Sequence, residues 1–181
     1  MQAYPLIPHP ARPPFDVRSV EARVKNDDPN WLTIRWRIDG SARLALPKLG
    51  GRRRLDELWR TTCFEVFLQA GEGPGYSEFN LSPSEAWNAY DFDDYRVGMR
   101  ERRVEREPVL TMRPGSSMAI FDAAIPREML PPLPCAMGLT AVIEEEGQVT
   151  SYWAITHSAD NAPDFHRAAC FTGMLEAPTL A

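Results

Sequence analysis

The chain has 181 residues, of which 20 are basic and 25 acidic, and its formal net charge is −5. Seventeen residues are proline, well above the usual frequency of about 5%; this argues against a helical bundle, because an interior proline removes a backbone donor. The acidic balance and the lack of a clustered basic stripe exclude the usual signature of a nucleic-acid-binding protein.

The N-terminal segment is the most proline-rich part of the chain, and its prolines predict an extended arm without a regular element over residues 1–14. We expect residues 15–181 to form a single domain. No apolar run is long enough for a signal peptide or a membrane helix. We therefore expect a cytoplasmic protein with no membrane partner. The three separated cysteines each lie in an apolar run and are expected to be buried, reduced thiols.

Beyond the arm, short stretches of alternating polarity recur between turn residues, which is the pattern of half-buried strands. Residues 99–107 are almost entirely charged and fit either an exposed edge strand or a short solvated helix. Residues 126–130 fit one helical turn. Strands are predicted at residues 20–24, 32–38, 59–70, 76–82, 87–93, 117–124, 137–144, 149–156 and 169–175. About ten strands at this spacing predict an all-β protein, an antiparallel two-sheet β-sandwich with little helix.

Motifs for catalysis or metal binding are nearly absent. The glycine-rich segment 71–75 separates two strands and lacks the ending of a phosphate loop. A C-terminal group of polar residues matches no metal-ligand spacing and fits a solvated loop better: His157, Asp160, Asp164 and His166. Asp91, Asp93 and Asp94 offer oxygens for calcium but lack the EF-hand pattern. We therefore predict no catalytic residues, no metal ligands and no cofactor.

The aromatic residues are more informative, because several of them stand beside carboxylates and amides. A sugar ring stacks its C–H face on an aromatic ring, and its hydroxyls bond to polar groups at the edge. The alternative is that the aromatics fill the core. Glu65 is the most specific candidate. A glutamate is rarely fully buried unless it is paired, so a glutamate inside a central strand either lines a cavity or pairs with a group such as an arginine. The aromatics are Trp59, Tyr76, Trp87, Tyr90, Tyr95 and Trp153, and the polar residues beside them are Glu65, Glu78, Asn80, Asn88 and Asp91.

Three segments carry a resemblance to a known family. Residues 58–68 (LWRTTCFEVFL) resemble the Trp-x5-Glu-Val-Phe strand of the DOMON-like superfamily, close to the family 9 carbohydrate-binding modules. Residues 76–84 and 87–90 resemble the next two strands of a bacterial DOMON-like subgroup. Residues 152–157 with 163–166 resemble its closing segment. The resemblance covers most of the chain from about Phe15.

The resemblance implies a β-sandwich that binds a small ligand on a concave face, either a sugar or haem. Trp59 and Glu65 match the sugar-binding motif residue by residue, whereas the second aromatic wall is left open between Trp153 and His157. The haem-binding branch would pair His157 with Met99, Met112, Met118 or Met137. The predicted ligand-binding residues are Trp59, Glu65, Glu78, Asn80, Trp87, Trp153 and His157.

The leading hypothesis is a non-catalytic binding protein for a carbohydrate or a sugar-like metabolite. One alternative is an enzyme that uses Glu65, Glu78 or His157 as acid or base, and paired carboxylates about 5 to 9 Å apart in a cleft would favour a glycosidase-like reaction. Others are a haem-binding domain and a domain whose exposed aromatics meet a protein partner. The sequence indicates no oligomeric state.

Overall fold

The computed structural model describes residues 1–178. Ten strands of five or more residues and three shorter ones make up the fold, together with three single turns of 3-10 helix at Leu58–Arg60, Arg127–Met129 and Ala168–Cys170. The strands are β1 (Gln2–Pro8), β2 (Ser19–Lys25), β3 (Trp31–Asp39), β4 (Arg53–Arg54), β5 (Cys63–Ala70), β6 (Tyr76–Leu81), β7 (Ala86–Phe92), β8 (Arg100–Glu101), β9 (Val109–Arg113), β10 (Met118–Pro126), β11 (Cys135–Glu145), β12 (Val149–Ala154) and β13 (Gly173–Leu175).

All strands belong to one continuous, curled sheet in the order β4-β7-β6-β5-β11-β12-β1-β2-β3-β10-β9, with β13 beside β11 and β8 beside β7. Neighbouring strands are antiparallel except β4 and β7, which are parallel. The all-β prediction is confirmed, but two separate antiparallel sheets are not observed. The reason is β1, which pairs with β2 over residues 2–6 and with β12 at residues 7–8.

The two halves of the curled sheet pack their inner faces against each other. The ring of Phe64 on β5 stacks on Phe121 of β10 with 4.4 Å between centroids, and Trp36 on β3 lies 5.3 Å from Phe64. Alternate residues of β3 are buried, as its period-two pattern predicts. A single large apolar cluster therefore joins both halves, and the faces of the sheet that point away from it are available for other uses.

The predicted irregular arm is wrong for residues 2–8, which form β1. Tyr4 and Leu6 alternate with exposed neighbours and enter the core. Their burial favours the extended conformation, and proline is compatible with a strand wherever its missing N–H is not needed by the ladder.

Smaller differences concern the ends of elements. The predicted strand 59–70 begins only at Cys63, because residues 58–60 form a 3-10 turn. The charged segment 99–107 contains β8, a two-residue exposed edge strand, while the predicted strand 169–175 shrinks to β13. The three cysteines are free and buried, as expected. No helix within residues 1–178 is long and apolar enough to cross a membrane.

Candidate functional site

A cleft of about 960 Å³ lies on the sheet face that points away from the core, over β5, β6, β7 and β11. In the centre of its floor Glu65 of β5 stands opposite Asn80 of β6 and Thr140 of β11. Glu78 lies two residues before Asn80, on the same face and diagonal to Glu65. Two neighbouring strands, β5 and β6, thus bring two carboxyl groups and an amide together.

The pleat of β5 explains how one strand serves both the core and the cleft. Phe64, Val66 and Leu68 enter the core, whereas Glu65 and Phe67 between them line the cleft. All of residues 63–68 are buried, because loops cover the cleft side of this strand. The prediction of a central strand is confirmed, since β5 lies between β6 and β11.

The two floor glutamates are almost fully buried, with 3% of Glu65 and 5% of Glu78 exposed. The Thr140 hydroxyl donates to Glu65 Oε2 at 2.9 Å, and the Asn80 amide donates to Glu78 Oε1 at 2.9 Å. Burial, with repulsion from Glu78, raises the pKa of Glu65 to about 8. Burial raises the pKa of Glu78 to about 7. The unliganded pair therefore retains protons near neutral pH.

A neutral histidine stands beside this pair. Burial, with the nearby Arg96 charge, lowers the pKa of His166 to about 4. The Tyr76 hydroxyl accepts the backbone N–H of Arg96 at 3.2 Å and forms a hydrogen bond of 2.8 Å with His166 Nδ1. His166 Nε2 lies 4.0 Å from Glu78 Oε2. His166 thus stands beside the floor as an uncharged ring.

Trp59 forms part of the rim. The preceding residue, Leu58, is buried against Cys63 and Ala86 and anchors the short 3-10 turn. This anchoring leaves the Trp59 side chain at the edge of the cleft, where 45% of the residue is exposed. The Arg60 guanidinium lies 5.1 Å from the Trp59 ring centre.

A hydrogen-bond network ties the rim segment to β7. The Tyr90 hydroxyl donates to Asp56 at 2.5 Å, and the Asn88 amide donates to the same carboxylate at 3.0 Å. Arg54 in turn donates to the Asn88 oxygen at 2.6 Å. Because Asp56 lies three residues before Trp59, these bonds help to position the rim tryptophan above the polar floor.

The other walls of the cleft are mainly aromatic. Tyr152 of β12 and Phe165 of the following loop lie with ring centres 6.0 Å apart, and Arg96 adds a guanidinium that pairs with Asp164 at 3.0 Å. Such a surface, apolar rings around a few polar groups, is typical of a small-molecule site. Further wall residues are Phe67, Tyr90, Phe92 and Met99.

Four of the seven predicted binding residues line this cleft: Trp59, Glu65, Glu78 and Asn80. Trp87 and Trp153 are instead buried in the main core, as expected from the alternative that the aromatic residues fill the core. His157 lies in a separate pocket next to the N-terminal strand, where its Nε2 is 2.7 Å from the Ile7 carbonyl oxygen. The structure therefore does not bring Trp87, Trp153 or His157 to the cleft.

Several wall residues are not among the seven predicted binding residues. Alternation along β12 could have identified Tyr152, because a core position at Trp153 sends its neighbour to the opposite face. Tyr90, which stands opposite Glu78, follows from the same rule on β7. Arg96, Phe165 and His166 belong to loops, where no periodicity indicates direction.

The structure places the residues considered for metal or haem in separate surroundings. The Asp91 carboxylate accepts from Arg102 and Ser77 at 2.7 Å, while Asp93 pairs with Arg100. Within residues 1–178 no three His, Cys, Asp or Glu side chains form a metal-binding group. Of the named haem-ligand candidates, Met99 lines the cleft, whereas Met137 is in the core and His157 in the other pocket.

No protein-family model and no curated protein matches the chain. Solved structures that are similar to it include the following three. A protein described as a candidate carbohydrate-binding protein from Bacteroides uniformis has 12% identity and a TM-score of 0.63, over 97% of this chain and 86% of the other.

The other two are structures of a family 9 carbohydrate-binding module from Caldicellulosiruptor kristjanssonii. The complex with glucose has 11% identity and a TM-score of 0.51 over 97% of this chain and 86% of the module chain. The complex with cellotriose has 12% identity and a TM-score of 0.52 over 93% and 79%. At such low identities these similarities show a shared fold.

Proposed function

We propose that this protein is a non-catalytic carbohydrate-binding protein whose site is the cleft over β5, β6, β7 and β11. The observation that carries the proposal is the position of Trp59, a half-exposed indole at the rim of a buried polar floor. An indole face stacks on the C–H face of a sugar, and carboxyl and amide groups bond to its hydroxyls. The similar fold of modules solved with glucose and cellotriose supports the same choice.

The cleft also has the dimensions for such a ligand, since small-molecule pockets usually have about 300–1,000 Å³ and this one has about 960 Å³. The resemblance to sugar-binding DOMON-like proteins implies a second aromatic wall, and Tyr152 and Phe165 are aromatic residues that line the cleft. We propose these two side chains for that role in place of Trp153 and His157.

Calorimetric titration with glucose, cellobiose and cellotriose tests the proposal. We expect binding that Trp59→Ala weakens at least about tenfold, because loss of an aromatic platform removes a large part of the apolar contact. Trp31→Ala is the matched control, since Trp31 lies on β3 outside the cleft. No binding of any of these sugars, or equal affinity of the Trp59 variant and the wild type, would overturn it.

Acid–base catalysis is the second candidate, because Glu65 and Glu78 lie on the same face and line one cleft. A diagonal pair of strand residues has Cα atoms roughly 7–8 Å apart, and glycosidase carboxyl pairs are separated by about 5 to 9.5 Å. Release of nitrophenol from aryl glycosides, abolished in Glu65→Gln and Glu78→Gln, would establish this function. A protein that binds sugars but leaves these glycosides intact would remove it. His157 has no part in such a mechanism, since it lies in another pocket.

A further inference from the structure

The floor of the cleft presents hydrogen-bond acceptors that have no donor. The Asn80 side chain is 3% exposed, and its amide nitrogen donates to Glu78, but its carbonyl oxygen has no partner among the described residues. A buried acceptor without a donor costs free energy. Asn80 stands opposite Glu65 and beside Glu78, so this oxygen lies within the group of floor carboxyls.

Each of these carboxyls also has an oxygen to spare. Glu65 accepts the Thr140 hydroxyl through Oε2, and within residues 1–178 no donor bonds to its Oε1. Glu78 accepts the Asn80 amide through Oε1, while its Oε2 is 4.0 Å from His166, too far for a hydrogen bond. These three oxygens lie on two neighbouring strands, and once the carboxyls are ionised all three are acceptors for the donors of a ligand.

We propose that this floor binds the primary ammonium group of a ligand, and that the ligand is an amino sugar. An ammonium group has three N–H donors and no acceptor, which matches the free oxygens of Glu65, Glu78 and Asn80. A sugar hydroxyl has one donor and brings its own lone pairs to a place already rich in acceptors. The inference rests on the proposed sugar-binding function and names the class of sugar.

The charges around the cleft favour the same ligand. Four carboxyl groups line it, those of Asp56, Glu57, Glu65 and Glu78, against the two guanidinium groups of Arg12 and Arg96. Arg96 is paired with Asp164 and bonds to neither floor carboxyl. The floor pair therefore lacks a bonded cation, and the ammonium would take the place of a proton that the pair holds near neutral pH.

The wall aromatics are suited to a cation as well, because ring faces attract ammonium groups within about 6 Å. Phe67 and Tyr90 flank Glu78 in the sheet, since they stand opposite it on β5 and β7. A calcium ion would need six to eight oxygen ligands at about 2.3–2.6 Å. The floor has only two carboxyls and one amide, which are too few ligands for calcium but match the three donors of an ammonium group.

Calorimetry at pH 7.0 with D-glucosamine, D-glucose and ethanolamine tests the proposal. We expect glucosamine to bind at least about tenfold more tightly than glucose, since charge-assisted hydrogen bonds are the strong ones. Binding should release up to about one proton, measured by repeating the titration in buffers of different ionisation enthalpy. Glu65→Gln and Glu78→Gln should reduce the preference to about twofold or less. Glu72→Gln, in the exposed turn between β5 and β6, is the matched control.

The possible results separate this inference from the function on which it rests. Glucose binding as tightly as glucosamine would overturn the ammonium site and leave sugar binding intact. Ethanolamine binding without either sugar would support the ammonium site and overturn the sugar. If both Gln variants still prefer glucosamine to glucose as strongly as the wild type, the ammonium group does not bind at Glu65 and Glu78. If none of the three compounds binds, both the ammonium site and the sugar-binding function are overturned.

Discussion

Replacing Glu65 and Glu78 together by glutamine should change how the stability of the protein depends on pH. Both carboxyls have a pKa raised by burial, to about 8 for Glu65 and about 7 for Glu78. In the unfolded chain a glutamate has a pKa of about 4.3. The folded protein therefore holds these protons over a pH range in which the unfolded chain has lost them.

The sign follows from proton linkage. Stability falls with rising pH wherever the folded state binds more protons than the unfolded state. The contribution of the pair is fully favourable below the unfolded pKa, falls from about pH 5, and levels off above the folded values near pH 8. The retained protons of the two carboxyls together give a slope of up to about 3 kcal/mol per pH unit between pH 5.5 and 7.

One neighbouring group acts in the opposite direction. Burial lowers the pKa of His166 to about 4. The stability that the neutral ring contributes is therefore lost as the pH falls below about 6.5, the pKa of histidine in the unfolded chain. The wild-type curve contains both effects. The difference between the wild type and the Glu65→Gln/Glu78→Gln variant isolates the carboxyl pair, because His166 is present in both.

Urea unfolding followed by tryptophan fluorescence at pH 5.5, 6.5, 7.5 and 8.5 measures this difference. We expect the double variant to gain stability over the wild type by several kcal/mol from the first pH to the last. Similar m-values would show that the unfolded states are comparable. Parallel curves for the two proteins would refute the reasoning, since they would mean that the floor carboxyls are ionised in the folded state and stabilised by groups we have not assigned.

Three further predictions concern stability and can be checked by the same unfolding measurement at pH 7. Trp87→Ala should lower the free energy of unfolding by about 3–5 kcal/mol, because it leaves a cavity in the core. Trp59→Ala at the exposed rim should stay within about 0.5 kcal/mol of the wild type. Equal losses in the two variants would contradict the assignment of Trp87 to the core and Trp59 to the rim. Glu145→Ala should lower the free energy of unfolding by about 2–4 kcal/mol. The buried carboxylate accepts the backbone N–H groups of Phe15, Asp16 and Val17 at 2.7, 2.6 and 3.0 Å, and the variant leaves these donors without a partner. An unchanged stability would show that water replaces the carboxylate as acceptor. Gly138→Ala should cost about 1–3 kcal/mol, because its Cβ would lie 2.9 Å from the Phe171 ring, and a stable variant would mean that this ring is free to move.

The strands could be predicted where one face is buried and the other exposed. Residues 32–38 have that pattern, and β3 covers them. The pattern fails where local composition and tertiary packing disagree. The prolines of residues 1–14 indicate an arm, yet the burial of Tyr4 and Leu6 places residues 2–8 in the sheet. The connection made by β1 depends on strands about 150 residues away, which no local pattern reveals.

The floor of the site was more predictable than its walls. Glu65 attracts attention because it interrupts an apolar central strand, and Glu78 and Asn80 follow from the strand beside it. The prediction of Trp87 and Trp153 rests on their residue type alone. It does not consider on which face of the strand each side chain lies. Residues 155–167 contribute Phe165 and His166 through loop geometry, and loops have no period from which a side-chain direction follows.

The pleat provides a stricter rule for finding such sites in a curled sheet. Where one face of a strand is committed to the core, each large apolar residue on that face directs its two neighbours to the other. On β7 the core position of Trp87 directs Asn88 toward the cleft side, and Asn88 helps to hold Asp56 at the rim. On β12 the same relation holds for Trp153 and Tyr152. The tryptophans of these two strands therefore mark the site through their neighbours, while Trp59, which precedes its strand, is free of the alternation and can face the ligand itself.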